Sequence, residues 1–166
     1  KNEGYKTVIS IRGVGNETNQ NAIAAPSVAF HMDGIFIASP FSLQTDFIDI
    51  DRIEVLRGPQ GTLFGQNSTG GAVNVISKKP STDEFAGKAD LTLGNYGLKK
   101  YRTSLNMPIS DKVATRFSVS STERNGFSNN VYTGQDLDDA NNISVRSDWL
   151  FDLNDTSSLR VFGQYF

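Results

Sequence analysis

The chain has 166 residues, 37% of them hydrophobic, with 15 Gly, 11 Phe and 5 Tyr but a single His and no Cys. That length suffices for one domain with a sizeable core, while the lack of Cys excludes disulfides, thiolate metal sites, thiol nucleophiles and Fe–S clusters. With 16 basic and 18 acidic side chains the formal charge is -2, so there is no general electrostatic reason to hold nucleic acid, and no nucleic-acid partner is expected.

No apolar run approaches the roughly 18 residues of a membrane-spanning helix. A barrel strand needs only about 10 residues of alternating character, so β-barrels are not excluded. The chain starts at Lys1 rather than Met, without a basic-then-apolar leader, and Ser158 to Phe166 read as a strand with no turn after it. Both ends are therefore expected to be cuts in something longer.

In chain order, Thr7, Ile9 and Ile11 alternate with Val8 and Ser10, which predicts a strand ending in Arg12-Gly13-Val14-Gly15. The polar stretch from Asn16 to Asn21 reads as an exposed loop. Val28 to Met32 alternates again, and Asp33-Gly34 before Ile35-Phe36-Ile37 predicts a hairpin. Leu43, Phe47 and Ile50 recur at spacings of four and three, which predicts a short helix between Ser42 and Ile50. A strand over Arg52 to Arg57 runs into Gly58-Pro59. The following stretch to Gly71 is too glycine-rich for a regular element and opens into Ala72 to Ser77. A small mixed α/β unit is expected, ending near Lys78-Lys79-Pro80-Ser81-Thr82-Asp83.

Beyond that boundary the period is two throughout. Ala89, Leu91 and Leu93 oppose Lys88, Asp90 and Thr92; Tyr101, Thr103, Leu105 and Met107 oppose Arg102, Ser104 and Asn106. Val113, Thr115, Phe117 and Val119 oppose Ala114, Arg116, Ser118 and Ser120. Ile143, Val145, Trp149, Phe151 and Leu153 oppose Ser144, Arg146, Asp148 and Asp152, and Leu159, Val161 and Tyr165 oppose Arg160 and Gln164. Five strands are predicted, each with one apolar and one polar face. Asn95-Tyr96-Gly97 and the long Glu123 to Asn142 segment fall at one end; Pro108 to Lys112 and Asn154 to Ser157 fall at the other. Outer-membrane barrels have this asymmetry of short and long connections, and Tyr96, Phe127, Tyr132, Trp149, Phe151 and Tyr165 near strand ends suit interfacial girdles. Alternation alone fits a soluble antiparallel sheet equally well.

The run Asp51-Arg52-Ile53-Glu54-Val55-Leu56-Arg57-Gly58-Pro59-Gln60-Gly61-Thr62-Leu63-Phe64-Gly65, continuing through Ser68-Thr69-Gly70-Gly71-Ala72-Val73-Asn74-Val75-Ile76-Ser77-Lys78-Lys79-Pro80, closely resembles the plug domain of TonB-dependent outer-membrane receptors. So do Ile11-Arg12-Gly13 and Val28 through Gly34, and the similarity continues past Pro80 into what looks like the start of a barrel. The resemblance implies a lumen-filled outer-membrane barrel of about 22 strands. The expected fold class is thus a small mixed α/β plug followed by antiparallel transmembrane β-barrel strands, an incomplete fragment of a plugged outer-membrane β-barrel. Residues 1–80 would be the C-terminal part of the plug and residues 84–166 about the first five barrel strands.

The function so implied is TonB-energised uptake of a scarce nutrient, above all a ferric siderophore, in the outer membrane. TonB with its inner-membrane energising complex, a ferric siderophore or other small nutrient, and outer-membrane lipid are the implied partners. No cofactor and no enzymatic activity are expected. The other reading is a non-transport, surface-exposed β-rich binding or structural protein, which has no need of the long motif.

The resemblance also assigns roles. Arg12 and Arg57 match two plug arginines that face carboxylates on the inner barrel wall in relatives, where a guanidinium supplies a rigid bidentate fork and a separable polar contact. Glu54 would join the same network. Gly58, Gly61, Gly65, Gly70 and Gly71 would allow a compact backbone path inside a barrel. A phosphate cradle is the alternative use of such glycines, but Gly71 stands where a Walker motif needs Lys, and Gly13-x-Gly15 lacks a third glycine, which rejects nucleotide binding. His31, beside Phe30 and Met32, has no visible convergent partners and reads as structural. Asp136, Asp138 and Asp139 lack EF-hand spacing and read as a solvated acidic loop rather than a Ca²⁺ site. Asn16 to Asn21, Ser39-Pro40-Phe41 and the Tyr132 loop are the segments expected to receive substrate.

Overall fold

A computed structural model describes residues 9–15, 27–37, 47–61, 65 and 67–165. They form two compact units. One contains the described residues of 9–37 and 50–78; the other joins residues 47–49 to residues 79–165.

The smaller unit opens with a minimal hairpin, β1 (Ser10–Ile11) and β2 (Val14–Gly15). Arg12 and Gly13 between them have φ of 53° and 76°, the mirror-image turn whose twist matches paired strands. Asp33 and Gly34, at 51° and 81°, make the same turn between β3 (Val28–Met32) and β4 (Ile35–Phe36), so the expected hairpin forms. The main sheet has the order β4-β3-β6-β5, with β5 (Ile50–Arg57) and β6 (Gly71–Ser77). β3 and β6 run parallel, Val28 opposite Gly71 and Met32 opposite Val75. They are the two central strands and supply the core from both faces: Val28, Ala29, Phe30, Ala72 and Val75 are buried. β5 is an edge strand, which leaves Ile53 and Val55 exposed.

The larger unit is a five-stranded antiparallel meander of order β13-β12-β9-β8-β7, with β7 (Ala86–Gly94), β8 (Leu98–Ser110), β9 (Val113–Arg124), β12 (Ala140–Asn154) and β13 (Ser157–Tyr165). All five predicted strands are present. β8 extends further than expected, running through Pro108, opposite Ala114, with a register shift before Ser110. Proline is tolerated there because a bulge frees its position from donating to the ladder. The long connection after β9 carries its own short pair, β10 (Ser128–Asn129) and β11 (Asp136–Leu137).

Two parts of the expected fold class are corrected. The smaller unit is not mixed α/β: apart from one turn closed by the Gly65 N–H on the Gly61 carbonyl, there is essentially no helix among the described residues. Residues 38–46, which hold most of the expected helix, lie outside the described set; where the prediction can be followed it fails. Asp49 has φ of 57°, outside the right-handed helical region, and Ile50 already pairs with Ser77 in β5. Nor, among the described residues, is any sheet closed into a barrel, since there β7 pairs only with β8 and β13 only with β12. Five strands fall short of the roughly eight at which a small barrel closes around its own side chains.

Candidate functional site

Cross-strand register decides which side of the meander each residue occupies. Leu91 faces Tyr101, Leu105 faces Phe117, Val119 faces Val145, and Trp149 lies between Thr115 and Val161. This apolar face is the exposed one, with Leu91 68% and Val161 52% accessible. The opposite face is polar and buried: Asn106 opposes Arg116, Arg116 opposes Asp148, and Ser118 lies between Ser104 and Arg146. Asp148 and Ser120 are each 1% accessible. A soluble sheet buries its apolar side, so this arrangement is inverted.

Most of these buried polar groups are partnered, Gln164 Nε2 and Asn142 Oδ1 being exceptions. Arg160 Nε donates to both carboxylate oxygens of Asp148, at 2.9 and 3.1 Å, and Arg146 Nη2 donates to Oδ2 at 3.3 Å. Arg146 also donates to Gln164 Oε1 at 3.0 Å and stacks over the Phe162 ring. Arg116 grips Asp49 through Nε and through Nη2, the latter at 2.9 Å, and the Ser118 hydroxyl donates to the same carboxylate at 3.0 Å. Asn106 accepts from the Ser81 N–H at 2.9 Å and donates to the carbonyls of Ser81 at 2.9 Å and Glu84 at 2.7 Å. Asp49, Arg116, Asn106 and Asp148 were not singled out from sequence. Their only signal was membership of the polar face of alternating strands, and Asp49 lacked even that.

In the smaller unit a chain of polar contacts crosses the sheet. Asp33 accepts from both the N–H and the hydroxyl of Ser77 at 2.9 Å. Gly34 N–H donates to Asn74 Oδ1 at 3.4 Å, Asn74 Nδ2 donates to Glu54 Oε2 at 3.3 Å, and Glu54 Oε1 accepts from Arg52 at 2.9 Å. Glu54, and then Asp51, raise the pKa of Arg52 by accepting its hydrogen bonds. Arg12 sits in the β1–β2 turn and Arg57 at the end of β5 opposite Gly71; both are exposed.

The five glycines are not alike. Gly58 and Gly65 have φ of 86° and 71°, and a methyl group on either would meet open space. Gly61 has open space as well. Gly70 is fixed by its N–H on the Ser27 carbonyl at 2.8 Å and its own carbonyl accepts from Gly58. Gly71, at φ of 144°, is the crowded one: a Cβ there would collide with the Leu56 carbonyl oxygen and lie 2.9 Å from Ile11 Cδ1.

His31 is 5% accessible, with its ring 5.5 Å from that of Phe36, and burial lowers its pKa. Among the described residues no three His, Cys, Asp or Glu side chains converge as a metal site requires. Asp136 and Asp139 instead line a polar cleft of about 340 Å³ with Glu123, Arg124 and Asn141. Asn16 to Asn21 and Ser39-Pro40-Phe41 lie outside the described residues; Tyr132 is almost fully exposed on the β10–β11 connection.

Residues 1–72 match the family described as TonB-dependent Receptor Plug Domain. The pesticin receptor of Yersinia enterocolitica is 31% identical over 107 residues, covering 63% of this chain and 15% of that protein. The catecholate siderophore receptor Fiu of Escherichia coli is 31% identical over 109 residues, covering 63% of this chain and 14% of its own length. The crystal structure of the ferripyoverdine receptor of the outer membrane of Pseudomonas aeruginosa superposes with a TM-score of 0.68 at 25% identity, over 82% of this chain and 18% of that one. The chain therefore spans about 15% of the length of the curated relatives it matches.

Proposed function

The chain belongs to the TonB-dependent receptor family, as a plug domain with barrel-like strands, and from that premise we propose that the whole protein is an outer-membrane receptor for energised uptake of a ferric siderophore. The observation that carries this reading beyond family membership is the inverted meander. An exposed ladder of Leu91, Tyr101, Phe117, Trp149 and Val161 suits acyl chains, and a buried polar face suits a wet interior. The relatives named for catecholate siderophores and ferripyoverdine point to iron chelates as cargo. TonB and its inner-membrane complex would supply the energy, since the outer membrane has no nucleotide pool of its own. The family is one of transport receptors rather than enzymes.

In this reading residues 1–80 act as the plug and residues 84–166 as the first barrel-like strands, with the linker between them. Arg12, Arg57 and Glu54 would contact carboxylates and amides of strands later in the chain. The exposure of both arginines, and the tie from Glu54 through Asn74 to the Asp33-Gly34 turn, support that role. Gly58, Gly61, Gly65, Gly70 and Gly71 keep the connection between β5 and β6 compact.

The test is uptake of iron-loaded siderophores by iron-starved cells that carry the complete gene, its deletion, or the gene without TonB. Accumulation is expected only with gene and TonB together. Accumulation that survives loss of TonB would overturn the reading. Within the intact receptor, Arg57→Ala is expected to weaken plug retention, read as increased entry of a bulky hydrophilic antibiotic.

A further inference from the structure

The long connection between β9 and β12 is clipped to the β7–β8 turn just after β9 ends. Asn125 N–H donates to the Tyr96 carbonyl at 2.9 Å, and the Tyr96 and Phe127 rings lie 5.9 Å apart. Arg124 stacks over the same Phe127 ring at 5.0 Å, and Phe127 N–H donates to the Leu137 carbonyl at 3.1 Å. Two hydrogen-bonded residues, Asn125 and Phe127, thus enclose Gly126. Asn125-Gly126 is also the one Asn-Gly pair in the sequence.

We infer that Asn125 is a modification site at which the chain deamidates itself, with Gly126 supplying the nucleophile. The Gly126 backbone nitrogen attacks Asn125 Cγ, the side-chain nitrogen departs as ammonia with the proton that Gly126 gives up, and a five-membered succinimide closes. Water then adds to one of the two ring carbonyls and breaks that C–N bond, leaving aspartate or isoaspartate. Water in and ammonia out balance the atoms, and nothing is oxidised or reduced.

Three observations carry the site. Both reacting groups are available: Asn125 is exposed and outside the strands, and among the described residues neither its side-chain amide nor the Gly126 N–H makes a hydrogen bond. The second is that packing demands the glycine. A Cβ on Gly126 would collide with the Leu137 carbonyl oxygen and lie 3.0 Å from Asp136 Cβ, so the attacking nitrogen stays unshielded by any side chain of its own. The third is contrast with other loop asparagines. Asn130 Oδ1 accepts from the N–H groups of Tyr132 and Thr133 at 2.9 and 3.2 Å, and Asn154 Oδ1 accepts from the N–H and hydroxyl of Thr156 at 3.0 and 2.9 Å. Those amides are engaged, and each is followed by a residue with a side chain, Val131 or Asp155.

The product changes the connection in two ways. A new carboxylate joins Glu123, Asp136 and Asp139 around the cleft that Asn125 already lines, adding like-charge repulsion. Isoaspartate also routes the main chain through its Cβ, which lengthens the path between the Asn125 and Phe127 anchors and opens the clip. Any effect on cargo rests on the receptor reading above, whereas the chemistry does not.

The experiment ages the purified full-length receptor, folded in detergent, in mildly alkaline water enriched in heavy oxygen, then sequences the tryptic peptide over residues 125–146 by tandem mass spectrometry. Label is expected to enter at Asn125, as separable aspartate and isoaspartate forms, well before any enters at Asn130. Asn125→Gln, whose longer side chain would need a six-membered ring, is expected to stay unlabelled at that position. Amide exchange at Phe127 should accelerate in aged wild type and not in aged Asn125→Gln. Label no faster at Asn125 than at Asn130, or label confined to receptor unfolded in urea, overturns the site; unchanged exchange at Phe127 in converted receptor overturns the opening of the clip. Siderophore binding is measured on the same samples. A receptor that binds none yet converts at Asn125 refutes the functional reading and upholds the modification.

Discussion

Arg160 on β13 places its guanidinium against the carboxylate of Asp148 on β12, with Nε donating to both oxygens, and the Asp148 side chain is 2% accessible. Arg146 approaches the same carboxylate, so one buried anion serves two cations. Removing it takes the carboxylate away from both. Asp148→Ala is therefore expected to destabilise the intact receptor by about 3–5 kcal/mol, the usual cost of stranding one member of a buried pair. Asp148→Asn, which keeps acceptor capacity, should cost less. Thermal unfolding followed by circular dichroism in detergent checks the order. By contrast, Arg52→Ala removes only the exposed pairs with Asp51 and Glu54 and should leave the melting temperature unchanged.

The glycines of the β5–β6 connection should separate in a mutational series. Gly71→Ala must put a methyl group into the Leu56 carbonyl oxygen and against Ile11, from a backbone conformation that L-residues avoid. Leu56 is held by its pairing with Ala72 and cannot give way cheaply. We expect a loss of about 2–4 kcal/mol, the sum of overpacking and conformational strain. Gly58→Ala and Gly65→Ala meet open space and pay only for positive φ, about 1 kcal/mol each. Gly61→Ala should be neutral or slightly stabilising. Protease resistance of the plug in the purified receptor, measured against urea, reads all four.

Much of this was legible because the strands obey a period of two. Leu91, Tyr101, Phe117 and Trp149 could be assigned to one face without coordinates, and Asp33-Gly34 marked its hairpin through the demand for positive φ. Which face is buried was not legible, since alternation is symmetric between a soluble sheet and a barrel-like one. The parallel pairing of β3 with β6 joins residues more than 40 positions apart, and local patterning carries no term for it. The helix over Ser42 to Ile50 rested on three apolar residues, a spacing that a bend also produces; the left-handed Asp49 ended it. Asp49 finds Arg116 at a separation of 67 residues, so neither side chain could announce the other.

His31 gives the smaller unit a pH dependence of definite sign. Burial lowers its pKa in the folded state below the ordinary histidine value, so the unfolded chain binds the proton more readily. Stability from this residue is fully present above about pH 6.5 and declines as pH falls toward the folded-state pKa. His31→Phe, which cannot charge, should flatten that part of the profile while keeping an aromatic contact with Phe36. Urea midpoints of the plug signal at pH 7.5, 6.5 and 5.5, roughly spanning the window, are the measurement. A slope that persists in the variant would assign the effect to other groups.

Val161 tests the inverted sheet most directly. It lies on β13 opposite Trp149 and is half exposed on the apolar face, with Leu159 and Tyr165 on the same side. If acyl chains cover that face, Val161→Arg in the full-length receptor places a charge in hydrocarbon at a cost of about 2–4 kcal/mol near the midplane, less near either interface. In water the same change is worth next to nothing, because an exposed Arg on an edge strand is ordinary. The two environments therefore predict different outcomes for one substitution. The variant should assemble poorly in outer membranes and refold with reduced yield into lipid vesicles, while Val161→Leu behaves as wild type. Normal membrane assembly of Val161→Arg would mean that lipid does not cover this face.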